Sequence, residues 1–194
     1  MHEALRKYVE EYSSMSLTDK EFEIVRQAFT FKKLRKKQYF LQEGDVAKQM
    51  AFILKGAMRM YIVNDKGHET IIQFGIENWW IGDRESFFML SPSPYNIDAV
   101  EDCELLVLNQ EHHQQLLNEV PAFVKMVRVL DTKHHIATQK RIHASIGMDA
   151  EEKYQDFVTN HSGFLQRFPQ NMIASYLGIS PETLTRIRKK LLYK

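Results

Sequence analysis

Apolar positions along this chain change their period twice. Over 3–12 and 18–29 they recur at three- and four-residue spacing, which predicts two short helices. Thr18 is the expected N-cap of the second, with Glu21 three residues on to complete a capping box, and Phe22, Ile24, Val25 and Phe29 supply its apolar contacts. From Tyr39 to Leu108 the pattern becomes one of short strands at 39–43, 50–54, 57–63, 69–75 and 104–108. Turn signals separate them: Gly44-Asp45, Gly56, Asn64-Asp65-Lys66-Gly67 and Ser91-Pro92-Ser93-Pro94. The 57–63 and 69–75 segments read as a hairpin across the Asn-Asp-Lys-Gly turn. Evenly spaced strands of this kind predict a jelly roll or barrel, which either encloses a ligand or packs solid.

Helical spacing returns after Leu108. Residues 109–118 read as a short helix capped by Asn109, 121–146 as one long helix starting at Pro121, and 149–160 as an amphipathic helix. In the long helix, Phe123, Val127, Leu130, His134, Ala137 and Arg141 recur at alternating spacing, joined by Met126 and Ile142. The stripe is apolar at first and then polar, which predicts a dimer seam rather than a wholly buried helix.

Residues 165–194 read as a helix, a tight turn and a second helix. Ile173, Ala174 and Leu177 form the stripe of the first helix, and Gly178 ends it where a positive φ is needed. Ser180 stands at the next N-cap and Pro181 at the first helical position. Leu184, Ile187 and Leu191 give the second helix a buried face, leaving Glu182, Thr185, Arg186 and Lys189 opposite. This is helix-turn-helix spacing, in which the second helix enters the DNA major groove.

Charge sharpens that reading. The 194 residues carry a net +1, yet residues 165–194 hold six Lys or Arg against one acid, Glu182, for a net +5. A basic module on a mildly acidic body is the footprint of phosphate binding. A second basic run, Lys32-Lys33-Leu34-Arg35-Lys36-Lys37, has no interleaved aromatics to stack bases and reads instead as a solvated loop or edge strand. Composition (44% apolar, 26% charged), no apolar run of membrane-spanning length and no visible secretory signal lead to the expectation of a cytoplasmic chain without membrane contact. The single Cys103 rules out an intrachain disulfide framework and an iron–sulfur cluster ligated by four cysteines of one subunit.

The order of parts resembles the Crp/Fnr family of bacterial transcription regulators. Phe40-Leu41-Gln42-Glu43-Gly44-Asp45 followed by Phe52-Ile53-Leu54-Lys55-Gly56-Ala57-Met58-Arg59-Met60-Tyr61 is similar to that family's two-glycine strand signature. Gln73-Phe74-Gly75 and Ile81-Gly82-Asp83 resemble the start of its phosphate-binding cassette, and Ala99-Val100-Glu101-Asp102-Cys103-Glu104-Leu105 the strand after it. Leu177-Gly178-Ile179-Ser180-Pro181-Glu182-Thr183-Leu184-Thr185-Arg186 resembles its DNA-reading turn and helix. The resemblance runs from about Leu17 to Leu191. It implies an α+β fold: a jelly-roll (double-stranded β-helix) sensor domain over 1–120, a dimerisation helix over 121–147 and a helix-turn-helix domain over 148–194.

It also implies the partners: double-stranded DNA with a near-palindromic site, a second copy of the chain, and RNA polymerase. The residues expected at DNA are Ser180, Glu182, Thr183, Thr185, Arg186, Lys189 and Lys190, with Glu182 and Arg186 at base-contacting positions. Arginine donates twice to guanine and glutamate accepts from cytosine, so the chemistry agrees. Pro181 stands where the family usually has an arginine, so the recognised sequence is expected to differ from that of the cyclic-AMP regulators. The sequence ends at Lys194, before the β-wing that often follows the reading helix.

The sensor half departs further. Members that bind cyclic AMP hold its ribose with a glutamate after the cassette glycine, where Asp83 stands here, and its phosphate with an arginine-serine pair that falls on Ser93-Pro94. No Lys or Arg occurs from Glu85 through Val124, and Arg84 is the nearest substitute. A buried phosphate without a cation is costly. Gly82, Asp83, Arg84 and Ser93 are therefore the candidate ligand residues, cyclic AMP is not expected, and any other small-molecule effector is unnamed. No cofactor, metal or catalytic residue is expected. His112-His113 and His134-His135 are adjacent pairs that point about 100° apart on a helix and chelate poorly. Trp79-Trp80 reads as core or as pocket lining. An enzyme on a jelly-roll body would need clustered His and carboxylates on strands, and the strand region holds only His68. The remaining alternative is a small-molecule-binding or protein-interaction module whose DNA-binding part is degenerate.

Overall fold

The computed structural model describes residues 2–192; Lys194, one of the six basic residues counted above, lies outside them. Two helices, α1 (His2–Ser13) and α2 (Asp19–Ala28), lead into eight strands. The Thr18–Glu21 capping box starts α2 as the sequence predicts. Strands β1 (Thr30–Leu34), β2 (Tyr39–Leu41), β3 (Gln49–Lys55), β4 (Met58–Val63), β5 (Glu69–Gly75), β6 (Trp80–Ile81), β7 (Asn96–Ala99) and β8 (Cys103–Asn109) form two antiparallel sheets. Their orders are β1-β8-β3-β6 and β2-β7-β4-β5. The short helix α3 (Arg84–Met89) interrupts them after β6. Strand β1 is an edge, so the lysines of 32–37 do sit on an edge strand and its turn.

Alternation along the strands assigns side chains to three cores. Between the sheets lie Ala51, Ile53, Met58, Met60, Ile81, Ile97, Leu105 and Val107. The other face of the first sheet gives Phe52, Leu106 and Leu108 to the helices. The other face of the second sheet gives Tyr61, Ile71 and Phe74 to the C-terminal module. Residues 105–108 are therefore buried on both faces, which is why they read as an unbroken apolar run.

Helices α4 (Gln110–Glu119) and α5 (Pro121–Gly147) follow, with Asn109 capping the first as expected. Here the structure corrects the expected seam. Phe123 and Met126 are each 1% exposed, packed with Leu5, Val9 and Val25 in the chain's own core. Val127 and Leu130 pack on the same cluster. Arg141 hydrogen-bonds the carbonyls of Ile71 and Ile72 and lies over the Tyr176 ring at 4.3 Å. The stripe read from spacing is thus in large part the face α5 turns to its own protomer. A single sequence cannot tell an intrachain apolar stripe from an intermolecular one of the same period. Residues 131–143 are all exposed, and Ile136, Ile142 and Ile146 stand out at 47%, 54% and 83%. Ile142 and Ile146 lie on the side of the helix away from Met126 and Ala137, and Ile136 lies about 80° round the helix from Met126.

Candidate nucleic-acid interface

The C-terminal module consists of α6 (Ala150–Asn160), a 3-10 turn at Ser162–Phe164, α7 (Gln170–Leu177) and α8 (Pro181–Leu192). Gly178 ends α7 in the left-handed conformation, with φ 67°, and its backbone N–H donates to Ala174 and Ser175. A side chain at that φ meets the backbone, which is why glycine is favoured there. The Ser180 hydroxyl then accepts from the Thr183 N–H at 3.2 Å, and Pro181 opens α8 without a donor to leave unsatisfied. Ala174, Ile173, Leu184 and Ile187 are buried where the two helices cross.

Burying Leu184 and Ile187 turns the other side of α8 outward. Pro181, Glu182, Thr185, Arg186 and Lys189 line one shallow hollow of about 510 Å³. Four of these are the residues that spacing set apart, and the structure brings them together. Thr185 Oγ1 donates to the Pro181 carbonyl at 2.9 Å, so its hydroxyl is tied to its own helix. The Glu182 carboxyl is held below the usual carboxylate range by its own backbone N–H at the helix start and by the Ser180 hydroxyl. Its ionised form, an acceptor only, is the one presented. Lys190 differs: its ammonium is ion-paired with Glu151 of α6, away from that hollow. Arg167 also departs from the simple charge count. Its guanidinium is bound to Glu77 and Glu101, so it does not add a free positive charge to the module.

The cassette residues are each engaged by neighbouring protein groups. Met50 packs over Gly82 so closely that a Cβ built there would lie 2.4 Å from its sulfur. Asp83 is the N-cap of α3, its Oδ1 accepting from the Glu85 and Ser86 N–H groups at 3.0 and 3.3 Å. Its Oδ2 is buried without a hydrogen-bond partner. Arg84 turns to α5, pairing with Asp131 at 2.7 Å. Ser93 accepts from the Tyr95 N–H at 3.1 Å and shapes its own turn. Phe87, 0% exposed, inserts from α3 between the sheets. An open cleft of about 540 Å³ on the roll runs along residues 39–49, where Gly44 and Asp45 exchange backbone hydrogen bonds with Ser93 at 2.8 Å. Trp80 is half-buried, packed on the helix-side core against Phe29 and Phe52, whereas Trp79 is more exposed, against Phe164. Among the described residues no group of three or more His, Cys, Asp or Glu is placed to hold a metal ion, and no helix is long and apolar enough to cross a membrane.

Residues 31–120 match the family model of the cyclic nucleotide-binding domain. The chain as a whole has the build of the Crp/Fnr regulators. It is 23% identical over 169 residues to the transcriptional activator protein Anr of Pseudomonas aeruginosa, covering 79% of this chain and 67% of that one. It is 21% identical over 165 residues to the cAMP-activated global transcriptional regulator CRP of Escherichia coli, covering 80% and 79%. Among solved structures, FixK2 of Bradyrhizobium japonicum superposes with a TM-score of 0.73 at 17% identity, over 85% of each chain. The chain spans about two-thirds of the length of the Anr-type relative.

Sequence reasoning missed how this chain joins its parts. Arg167 meets Glu101 and Glu77 across 66 and 90 residues, and Ser175 meets β5 across more than a hundred. Each is an ordinary polar residue with no local pattern around it, so no sequence signal announces the contacts.

Proposed function

We propose that this chain is a homodimeric, sequence-specific DNA-binding transcription regulator of the Crp/Fnr type, acting with RNA polymerase, whose roll lacks the cyclic-AMP phosphate clamp. The observation that carries the reading is the exposed face of α8. There, Glu182, Arg186 and Lys189 share one hollow on a helix held by buried Leu184 and Ile187. Arg186 and Glu182 are base readers, and Lys189 is a phosphate contact; Ser180 and Thr183 sit at the helix start, where backbone N–H groups meet phosphate. Lys190 joins them only by leaving Glu151. The relatives Anr and CRP are named as transcription regulators, which supports the same reading.

The dimer seam is the exposed distal half of α5, through Ile136, Ile142 and Ile146, with Ala137 and His134 at its flank. Two modules on such a dimer present their reading helices about 34 Å apart, the repeat of the major groove. Gly82 under Met50, Phe87 between the sheets and the absence of a cation at Ser93-Pro94 all argue against cyclic AMP.

Selection of genomic fragments, followed by gel shifts over a salt series, tests the reading. A selected near-palindrome whose affinity falls steeply with salt supports it; equal binding to all DNA, or none, overturns it. Calorimetry with cyclic AMP is expected to show no binding in the micromolar range.

A further inference from the structure

The roll and the C-terminal module are joined by a contact more specific than apolar packing. Arg167 lies between the 3-10 turn and α7. Its Nε and Nη2 donate to the two oxygens of Glu101, both at 2.6 Å. Its Nη1 and Nη2 donate to those of Glu77 at 3.0 and 3.1 Å. One guanidinium thus forms two bidentate forks, the geometry in which arginine fixes direction as well as charge.

The carboxylates come from two turns of the roll. Glu77 sits between β5 and β6, and Glu101 between β7 and β8. Glu77 Oε1 also accepts from the Gly56 N–H at 2.7 Å, in the turn between β3 and β4. The Val100 N–H donates to Ala57 O at 2.8 Å. Arg167 therefore closes one end of the roll, where three turns meet.

Two neighbouring contacts fix the rotation of α7 about that point. Phe168 stacks on Phe74 of β5 with ring centroids 4.0 Å apart. Ser175 Oγ accepts from the Ile71 N–H at 3.0 Å and donates to Glu69 O at 3.1 Å. It thereby stands in for a missing strand along the free edge of β5. Because α8 packs on α7 through Ala174 and Leu184, its direction follows from these contacts.

We infer that Arg167 is a positioning residue for DNA reading, a clamp on the Glu77 and Glu101 turns that sets the angle at which α8 is presented. The inference rests on the DNA-regulator reading above. In a dimer held through α5, both reading helices must meet the groove at one separation. The roll is tied to α5 through the α1 packing, and the module is tied to the roll through Arg167.

The test compares Arg167→Met, Arg167→Lys and the double variant Glu77→Gln/Glu101→Gln with the parent, all as full chains. Hydrogen exchange without DNA is read over 69–75 and 164–177, with 49–55 and 103–109 as the control for an intact roll. Affinity is measured for a selected site and for random DNA. Arg167→Met and the double variant should speed exchange in the first two segments, leave the controls unchanged and weaken the selected site by about tenfold or more. Arg167→Lys, which keeps the charge but not the forks, should fall between. The double variant is decisive because it removes two negative charges. If Arg167 were a phosphate contact, that change would tighten DNA binding. Binding as tight as the parent or tighter, or unchanged exchange over 69–75, overturns the inference. A parent that selects no DNA removes the reading beneath it, and the DNA-free exchange data distinguish that failure from a failure of the clamp.

Discussion

At the residue scale, two glycines and one arginine show how local chemistry sets the larger form. Gly56 has φ 100°, and a Cβ there would lie 2.6 Å from both Asp102 O and Cys103 Sγ. Gly56→Ala therefore meets backbone strain and a clash together. It should destabilise the fold by about 1–3 kcal/mol or more, measured by urea denaturation. Gly178 has open space around it, so Gly178→Ala should cost only the left-handed penalty of roughly 1–2 kcal/mol. Arg186→Ala should lose about 1–3 kcal/mol on the preferred site and relax selection at one base pair. Lys189→Ala should instead weaken all sequences alike and flatten the salt dependence. If Arg186→Ala lowers specific and random binding equally, base reading belongs to another side chain on that face.

At the element scale, α5 is instructive because one helix carries two apolar faces. The first half buries Phe123 and Met126 against α1, and the distal half leaves Ile136, Ile142 and Ile146 exposed. Leu130→Asp would thus strike the protomer's own core rather than the seam. Ile142→Asp is the sharper probe. It should leave the roll folded by circular dichroism while shifting light-scattering mass from dimer towards monomer, and a variant that stays dimeric would relocate the seam. Three elements, β6, α3 and β7, escaped the sequence reading altogether. β7 carries Asp98, whose carboxylate takes two hydrogen bonds from Arg59 at 2.8 and 2.9 Å and so interrupts the apolar pattern. α3 is six residues long, too short for periodicity to register, and is set by its Asp83 cap.

At the scale of the whole molecule, the module and the roll share a core and should respond to acid together. Burial among Phe164, Phe157 and Trp79 pushes the His161 imidazole down, against a smaller upward pull from Asp156. Its depressed value favours the neutral ring in the folded state. The stability it contributes is present above the unfolded value near 6.5 and is lost as pH falls through the folded one. Burial raises the Glu77 carboxyl, but hydrogen bonds from Arg167, its own N–H and Gly56 outweigh this and leave it lowered. Its share is present above about 4.5 and disappears as pH falls below that. Exchange over 164–177 should therefore quicken relative to 49–55 as pH falls below about 6.5, and again in the carboxylate range. His161→Phe should remove the first step and leave the second.

The sequence by itself determined the parts. Helical and strand periods, the Thr18, Asn109 and Gly178 caps and the Ser180-Pro181 start are local effects, because each depends on neighbours within one turn of chain. The outward face of α8 was legible for the same reason: burying Leu184 and Ile187 leaves one side for Glu182, Arg186 and Lys189. Tertiary structure alone decided which apolar stripe of α5 faces inward, that Arg84 turns to Asp131, and that Lys190 is engaged by Glu151. It also decided that Arg167 binds two carboxylates of the roll rather than adding to the free charge of the module. These are competitions among partners distant in sequence, and a side chain's partner is settled only when the packed backbone brings the competitors within hydrogen-bond reach.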